Sequence, residues 1–403
     1  MAHFNIKKRI NMLVSIALIM IVGLILGWLC KKVKLPSLIG MLITGIVLGP
    51  YILNVIDKSI LAISADIRKM ALIVILTRAG LSLDIAGLKR VGRPAVLMCF
   101  VPASFELLGM ISIAPKLLGI SVMEAAVMGA VLAAVSPAVV VPRMVKLMEE
   151  GYGTNEQIPQ LILAGASVDD VYVIVLFTTF LGMIQGGEVS VVRFVNIPVS
   201  IILGIIIGVL AGWALSFLFK MIHMRDTVKI MIILSVSFLL VFLEDSLKTA
   251  VTFSALISIM FIGVAMQKYR KAVALRLQSK FNKLWVIAEI FLFVLVGATV
   301  DISYLKNVGI KAILVIIGAL IFRMLGVFVC LLGTKLSSKE RLFTMMAYTP
   351  KATVQAAIGG IPLSLGLGCG NIVLTVAILA IVITAPLGAF AIDSTYKRFL
   401  EQK

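Results

Sequence analysis

About thirteen predominantly apolar runs, separated by short charged loops, divide this chain. A helix rises 1.5 Å per residue, so about 20 apolar residues cross the roughly 30 Å of hydrocarbon in a bilayer. Composition agrees, with 61% hydrophobic residues, only 14% charged residues and a mean hydropathy of +1.14. We therefore expect an all-α polytopic membrane protein. The predicted spans are 11–30, 37–54, 68–87, 94–115, 121–142, 159–184, 195–219, 227–243, 249–266, 284–306, 311–333, 343–366 and 370–392.

The basic residues indicate how the chain is oriented. A formal net charge of +18 could suggest a nucleic-acid partner, but these residues lie in short loops, as the positive-inside rule predicts for cytoplasmic loops. Their distribution favours an N-terminus outside and a C-terminus in the cytoplasm, although Lys7, Lys8 and Arg9 oppose that orientation. The strongest cytoplasmic signal comes from Lys268, Arg270, Lys271, Arg276, Lys280 and Lys283. We expect an integral protein of a bacterial plasma membrane, surrounded by lipid and without nucleic acid, a signal peptide or a soluble regulatory domain.

The cysteines and histidines indicate no metal or redox centre. Four cysteines are scattered along the chain, and two histidines are too few for a histidine-based site. An isolated cysteine in an apolar setting behaves as a small hydrophobic residue. We therefore expect no cofactor. These residues are Cys30, Cys99, Cys330, Cys369, His3 and His223.

Three features of the first half of the chain recur in the second half. AGLSLDI at 79–85, which ends the third predicted span, aligns with VGATVDI at 296–302, which ends the tenth. Corresponding spans are seven positions apart along the chain, which is an odd number, so the second copy must be inverted in the membrane. This pattern predicts two six-helix inverted-topology repeats joined by a linker helix, a plan typical of secondary transporters. Three residue pairs share the same offset of 217 positions: Gly80 with Gly297, Asp84 with Asp301, and Glu106 with Arg323.

The fifth and twelfth predicted spans each contain a proline after a hydroxyl residue, in AAVSPAVVVP at 133–142 and AYTPKATVQAAIGG at 347–360. Proline removes a backbone hydrogen bond, and freed backbone is tolerated at membrane depth only within protein or beside a watery cavity. We predict two discontinuous helices that cross; kinked continuous helices are the alternative. Lys351 would offset the partial negative charge of the carbonyl ends. The other residues assigned to this crossing are Ser136, Pro137, Thr349, Pro350 and Thr353.

Two adjacent carboxylates, Asp169 and Asp170, lie within the apolar segment GASVDDVYVIVLF at 165–177. A charge at bilayer depth costs roughly 2.5 to 3.5 kcal/mol on insertion scales, so such residues usually mark an ion or proton path. Hard cations such as Na⁺ and Li⁺ prefer oxygen ligands, and burial favours the protonated form of a carboxylate. A proton and a metal ion would compete for the same oxygens, which predicts exchange. Two acids merely paired with buried bases are the structural alternative.

The chain resembles the monovalent cation:proton antiporters of the twin-aspartate type. It is most similar to the sodium/proton antiporters of the solute-carrier B subfamily and their bacterial relatives. The resemblance rests on RAGLSLD at 78–84, AAVSPAVVVP, GASVDD, TPKATVQAAIGG and LPSLIGMLITGIVLGP at 35–50. It implies a homodimer that works by an elevator-like movement and serves salt and pH homeostasis.

The resemblance also implies roles for single residues. Asp170 resembles the essential carboxylate that binds the cation and carries the proton, with Asp169 as its partner. Ser136 and Thr353 look like auxiliary ligands of Na⁺. Glu106 and Arg323 resemble the core ion pair of this branch, which we expect to be structural because an unpaired buried charge is costly.

The sequence departs from the family at two positions. Ser136 stands where many relatives carry an acid, and Arg323 stands where several electrogenic relatives use a lysine. Arginine stays protonated and cannot carry the transported proton, so a one-for-one electroneutral exchange remains open.

The resemblance divides the predicted spans into domains. We expect a dimerisation domain over 11–90 and 227–306, an ion-transport core over 94–184 and 311–392, and a linker helix at 195–219. Arg78 and Glu289 fall in the dimerisation domain, where buried pairing is the default expectation.

Other function classes remain open at this point. A K⁺/H⁺ antiporter of the same superfamily would usually bring a nucleotide-binding domain, and a sodium-coupled organic-solute symporter would not require adjacent aspartates. An intramembrane aspartic protease places its two aspartates on separate helices, whereas neighbours on one helix point about 100° apart. We therefore expect a transporter of Na⁺ or Li⁺ and H⁺ and not an enzyme.

Overall fold

A computed structural model describes residues 11–83, 92–185, 191–247 and 253–402, without the side chains of 167, 191–198 and 302–308. Within these ranges the backbone is almost entirely helical, with an isolated β-bridge between Tyr152 and Gln402. The expectation of an all-α architecture is therefore confirmed. The expectations for His3, Asp84 and the basic residues at 7–9 lie outside the described residues.

The helices follow one another in this order: α1 (Met12–Lys32), α2 (Ser37–Leu48), α3 (Lys58–Ala62), α4 (Ser64–Ser82), α5 (Arg93–Met98), α6 (Val101–Leu118), α7 (Val122–Leu132), α8 (Pro137–Glu149), α9 (Ile158–Gln185), α10 (Val191–Met221), α11 (Asp226–Ser246), α12 (Ala255–Tyr269), α13 (Lys271–Ala298), α14 (Ile302–Cys330), α15 (Ser338–Ala347), α16 (Thr353–Ile358), α17 (Ile361–Ser364) and α18 (Gly370–Phe399).

Nine helical segments in the described part of the chain are long and apolar enough to cross a membrane. The apolar helices α2 and α12 are shorter, and α4 is more polar because it carries Asp66, Arg68, Lys69 and Arg78. The count of thirteen spans stays a prediction. The nine segments are Met12–Lys32, Arg93–Leu118, Val122–Glu149, Ile158–Gln185, Val199–Met221, Asp226–Ser246, Lys271–Ala298, Gly309–Cys330 and Gly370–Phe399.

Both helices that the sequence predicts to be discontinuous are interrupted. The first stops at Leu132 and resumes at Pro137, and the second stops at Ala347 and resumes at Thr353. Proline disfavours helical geometry in the residue before it, and Ser136 accordingly has an extended backbone with φ −88° and ψ 110°. Predicted span 343–366 is therefore divided among α15, α16 and α17.

The helix before each interruption begins with the same capping motif. Ser121 accepts a hydrogen bond from the Glu124 amide, and the Glu124 carboxylate accepts one from the Ser121 amide at 2.8 Å. Ser337 and Glu340 form the same reciprocal pair ahead of the second interrupted helix. A capping box satisfies two backbone donors at a helix start, so both halves of the chain fix this helix end in the same way.

The chain forms two compact units. The first comprises Met1–Lys69, Gly87–Asp170 and Glu289–Lys403, and the second comprises Met70–Ala86 and Val171–Ala288. The glycines aligned by the repeat occupy close helix crossings: a Cβ on Gly297 would lie 2.2 Å from the Leu42 carbonyl oxygen within the first unit. A Cβ on Gly80 would lie 1.9 Å from the Met260 carbonyl oxygen within the second. Small residues allow this approach in membrane helices. The domain boundaries expected from the sequence stay predictions.

Part of the basic cluster at 268–283 lines a cavity of about 620 Å³ in the second unit. Asp226 pairs with Arg276 at 3.2 Å and with Lys229 at 3.4 Å at this cavity. Other cationic side chains there are Lys220, Arg225, Arg270 and Lys280.

Candidate functional site

The two helix interruptions contact each other through main-chain atoms. The Ser136 amide donates a hydrogen bond of 2.7 Å to the carbonyl oxygen of Pro350, which lies in the other interruption. The Gln355 side chain adds two bonds, donating from Nε2 to the carbonyl oxygens of Leu132 at 3.1 Å and Ala134 at 2.9 Å. Extended backbone at this point is therefore buried in protein, as the membrane environment requires.

Arg323, in the C-terminal half of α14, is fully buried and joins both interruptions. Its Nε donates to the carbonyl oxygen of Tyr348 at 2.6 Å, and Nη1 donates to the carbonyl oxygen of Ala133. Tyr348 and Ala133 are the C-cap residues of α15 and α7, so their carbonyls lie where a helix carries partial negative charge. A permanent cation between them is electrostatically favourable.

Glu106 on α6 holds two cations. Arg323 Nη1 lies 2.7 Å from Glu106 Oε2, and Lys351 Nζ lies 2.5 Å from the same oxygen. The expectation that Lys351 itself offsets the carbonyl ends was wrong, because Arg323 occupies that place and the Lys351 side chain contacts Glu106. The Lys351 amide donates to Thr384 Oγ1 at 2.8 Å, a partner on α18 that no sequence motif indicated.

Asp169 is fully buried and uses only one of its carboxylate oxygens. Oδ2 accepts hydrogen bonds from Arg323 Nη2 at 2.9 Å and from the Val135 amide at 2.8 Å. The second bond places negative charge just ahead of α8, where a helix start is electropositive. Asp169 Oδ1 has no hydrogen-bond partner among the residues that the structure describes. Glu106, Asp169, Arg323 and Lys351 are called the charge network below.

The neighbouring Asp170 has different surroundings. It is 6% exposed, its Oδ1 has no hydrogen-bond partner, and among the described residues no basic side chain forms an ion pair with it. The charge network contains two acids and two bases and is neutral when all four are ionised. Within the described part of the chain, Asp170 is therefore a buried carboxylate without an ion-pair partner.

Four of the six buried side-chain oxygens that have no hydrogen-bond partner among the described residues belong to ligands expected from the sequence; the other two are Gln160 Oε1 and Ser216 Oγ. Ser136 is fully buried and Thr353 is 1% exposed, and neither hydroxyl oxygen has a hydrogen-bond partner in the described structure. Buried polar groups are normally paired, so four such atoms in one set of elements need an explanation. The oxygen set below means Ser136 Oγ, Asp169 Oδ1, Asp170 Oδ1 and Thr353 Oγ1.

The remaining predicted residues have other positions. Thr349 Oγ1, in the second interruption, donates to the Met346 carbonyl near the end of α15, so it is outside the oxygen set. Pro137 is the first residue of α8, and Pro350 supplies the carbonyl at the crossing. Arg78 and Glu289 are half-buried. Over the residues described, no group of three or more His, Cys, Asp and Glu side chains could hold a metal ion.

Gln355 is the residue that sequence reasoning missed. It lies one turn into α16, is 1% exposed, and also accepts a hydrogen bond from the Ala352 amide at 2.8 Å through Oε1. A glutamine in the third position of a helix can fold back onto the helix start, and that spacing was the available signal.

A helical membrane protein with two touching helix interruptions and buried ionisable residues beside them has the features of a secondary transporter. The family model described as "Sodium/hydrogen exchanger, transmembrane" matches residues 15–396. The chain belongs to this family of cation:proton antiporters.

Two relatives are similar to this chain in sequence, and one solved structure is similar to it in fold. Sodium/hydrogen exchanger 9B2 of Xenopus tropicalis is 32% identical over 401 residues, covering 93% of this chain and 72% of the relative. The human protein of the same name is 33% identical over 389 residues, covering 91% and 70%. The sodium proton antiporter MjNhaP1 from Methanocaldococcus jannaschii has a similar fold, with a TM-score of 0.80 at 22% identity over 94% of this chain and 95% of that chain.

Proposed function

We propose that this protein exchanges one Na⁺ or Li⁺ for one H⁺ across the membrane, with Asp170 as the shared binding group. The single observation that carries the proposal is the charge imbalance at the crossing. The charge network is neutral by itself, and Asp170 has no basic partner in the described structure. An isolated buried carboxylate is unfavourable, so it must take up either a proton or a metal cation.

The same imbalance couples the two cargoes. A proton and a cation neutralise Asp170 equally in charge, but both need its carboxylate oxygens, so one excludes the other. The neutral forms can be enclosed away from water at low cost, whereas the empty, charged form cannot. Alternating access that is open only to neutral forms yields obligatory exchange. An elevator-like movement of the transport core is the form of alternating access that we propose.

The oxygen set supplies the remaining ligands. Asp169 Oδ1 lies on a carboxylate whose other oxygen is already held by Arg323 and the Val135 amide, so its direction is fixed. Ser136 and Thr353 bring hydroxyl oxygens from the two interruptions. Carboxylate and neutral oxygens together suit a small hard cation.

The charge network supports a one-for-one stoichiometry. Asp169 is paired with Arg323, which does not release its proton, and Lys351 is paired with Glu106. One titrating carboxylate then exchanges one charge for one charge. Transport should be insensitive to the membrane potential, and a strong dependence on voltage would contradict this part of the proposal.

The broader arrangement is also proposed. Thirteen spans in two inverted six-helix repeats are supported by the matching capping boxes and by the matching interruptions. An N-terminus outside and a C-terminus in the cytoplasm are supported by the basic loops. A homodimer formed by the dimerisation domain is supported only by the family resemblance.

The test is proton flux in proteoliposomes after addition of Na⁺, Li⁺ or K⁺. The wild-type protein should respond to Na⁺ and Li⁺, and Asp170→Asn should not respond to either ion. Asp66→Asn is the matched control, because Asp66 is exposed at the start of α4, and it should transport normally. Exchange that persists in Asp170→Asn would refute the assignment. Thermal unfolding should show that this variant is at least as stable as the wild type, because it lacks the unbalanced charge.

A further inference from the structure

Gln355 has the geometry of a connection between the two interruptions. Its Oε1 accepts from the Ala352 amide in the second interruption, and its Nε2 donates to carbonyl oxygens on either side of the first interruption's start. The amide orientation is fixed by chemistry, because Ala352 offers a donor while Leu132 and Ala134 offer acceptors. Both N–H groups of the side chain are therefore committed to main-chain carbonyls.

Those carbonyls would otherwise be candidate ion ligands. A residue whose helical hydrogen bonding has ended presents a free carbonyl oxygen, and α7 ends at Leu132. Ala133 O is taken by Arg323, and Leu132 O and Ala134 O are taken by Gln355. Three successive carbonyls beside the oxygen set are thus occupied by protein donors, which leaves the carboxylate and hydroxyl oxygens unpaired.

We propose that Gln355 is a specificity-determining residue, which withholds the Leu132 and Ala134 carbonyl oxygens from the transported ion. This inference rests on the proposed function. A site built on carboxylates has a strong field and favours small cations, which repay their dehydration best. Neutral carbonyls form a weaker field that a larger cation tolerates, because cation selectivity depends on the number and field strength of the oxygens. Gln355 is a positioning residue in this scheme, since it acts through the carbonyls it binds.

The test compares Gln355→Met with wild type in proteoliposomes, measuring the apparent KM for Na⁺, Li⁺ and K⁺. Methionine keeps the length of the side chain and removes both donors. The ratio of the K⁺ and Na⁺ KM values should shift about tenfold toward K⁺, since a net hydrogen bond is worth up to about a factor of ten. Gln267→Met is the matched control: Gln267 Nε2 donates to the Leu81 carbonyl in the second unit, and this variant should keep the wild-type ratio.

The outcomes separate this inference from the proposed function. If wild type shows no cation-driven proton flux, the proposed function fails and the inference fails with it. If wild type transports and Gln355→Met changes only the turnover rate, with an unchanged KM ratio, Gln355 is merely structural and the inference is overturned. Gln355→Leu also removes both donors and adds no charge, so it should shift the ratio in the same direction. An unchanged ratio in both variants would overturn the specificity role.

Discussion

The charge network and the oxygen set share Asp169 but differ in whether their polar atoms are paired. In the charge network every ionised group has a partner, with ion-pair distances of 2.5 to 2.9 Å between four side chains. In the oxygen set four buried oxygens have no hydrogen-bond partner within the described ranges of the chain. A complete network stabilises the fold around the helix interruptions, whereas an incomplete one leaves room for a cargo. Hydrogen-bond accounting thus separates the paired charges of the charge network from the unpaired oxygens of the oxygen set.

Removing the permanent cation should have the largest effect on stability. Arg323→Gln leaves Glu106 and Asp169 with only Lys351 and frees two carbonyls, and breaking a buried pair costs about 3 to 5 kcal/mol. We expect little folded protein and a much lower unfolding temperature in detergent. Arg398→Gln, at an exposed position near the end of α18, should unfold like the wild type. Normal stability of Arg323→Gln would show that the network is not structural.

A double substitution tests whether balance of charge is the important property. Glu106→Gln combined with Arg323→Gln leaves Lys351 and Asp169, which are again one base and one acid. The double variant should be more stable than Arg323→Gln alone, with a coupling energy of about 0.5 to 3 kcal/mol in a double-mutant cycle. Thermal unfolding of the four proteins provides the measurement. Additive losses would mean that the two side chains act independently.

Competition at Asp170 predicts a specific pH dependence. Below the pKa of this carboxylate, each rise of one pH unit removes nine tenths of the competing protons, so the apparent KM for Na⁺ should fall about tenfold per unit. Above that pKa the KM should become constant. Flux assays at matched internal and external pH measure the curve. A KM that is flat throughout, or that rises with pH, would exclude a shared site.

Removing one hydroxyl of the oxygen set should have the smallest effect. Thr353→Val keeps the shape of the side chain but loses one neutral ligand, so the KM for Na⁺ should rise by about two- to tenfold. The turnover rate should change little. Thr44→Val is the matched control, because Thr44 is equally buried but already donates to the Gly40 carbonyl at 2.8 Å. Equal effects of the two substitutions would remove Thr353 from the proposed site.

Much of this arrangement follows from patterns in the sequence. Proline after a hydroxyl residue predicts the two interruptions because it removes a donor and disfavours the helical geometry of its neighbour. The repeat relates Glu106 to Arg323, and a single charge within the membrane is costly. The sequence therefore predicts that these two side chains form an ion pair. Adjacent aspartates predict different roles because they point in different directions on a helix.

Other parts require coordinates. The partner of Lys351 could not be predicted, because Arg323 and Lys351 both reach the crossing and only the packing decides which one meets the carbonyls. Gln355 gives no charge signal, and its two acceptors are more than 200 positions away in the chain. The start and end of each half-helix depend on those same contacts, so hydrophobic periodicity does not predict these boundaries.

The hydrogen bond from the Ser136 amide to the Pro350 carbonyl joins the crossing through atoms that every residue except proline possesses at position 136. Mutation of the side chain there leaves the junction itself intact. Replacing serine by an acid at position 136 would therefore change the side-chain oxygens at the crossing while leaving this main-chain hydrogen bond in place.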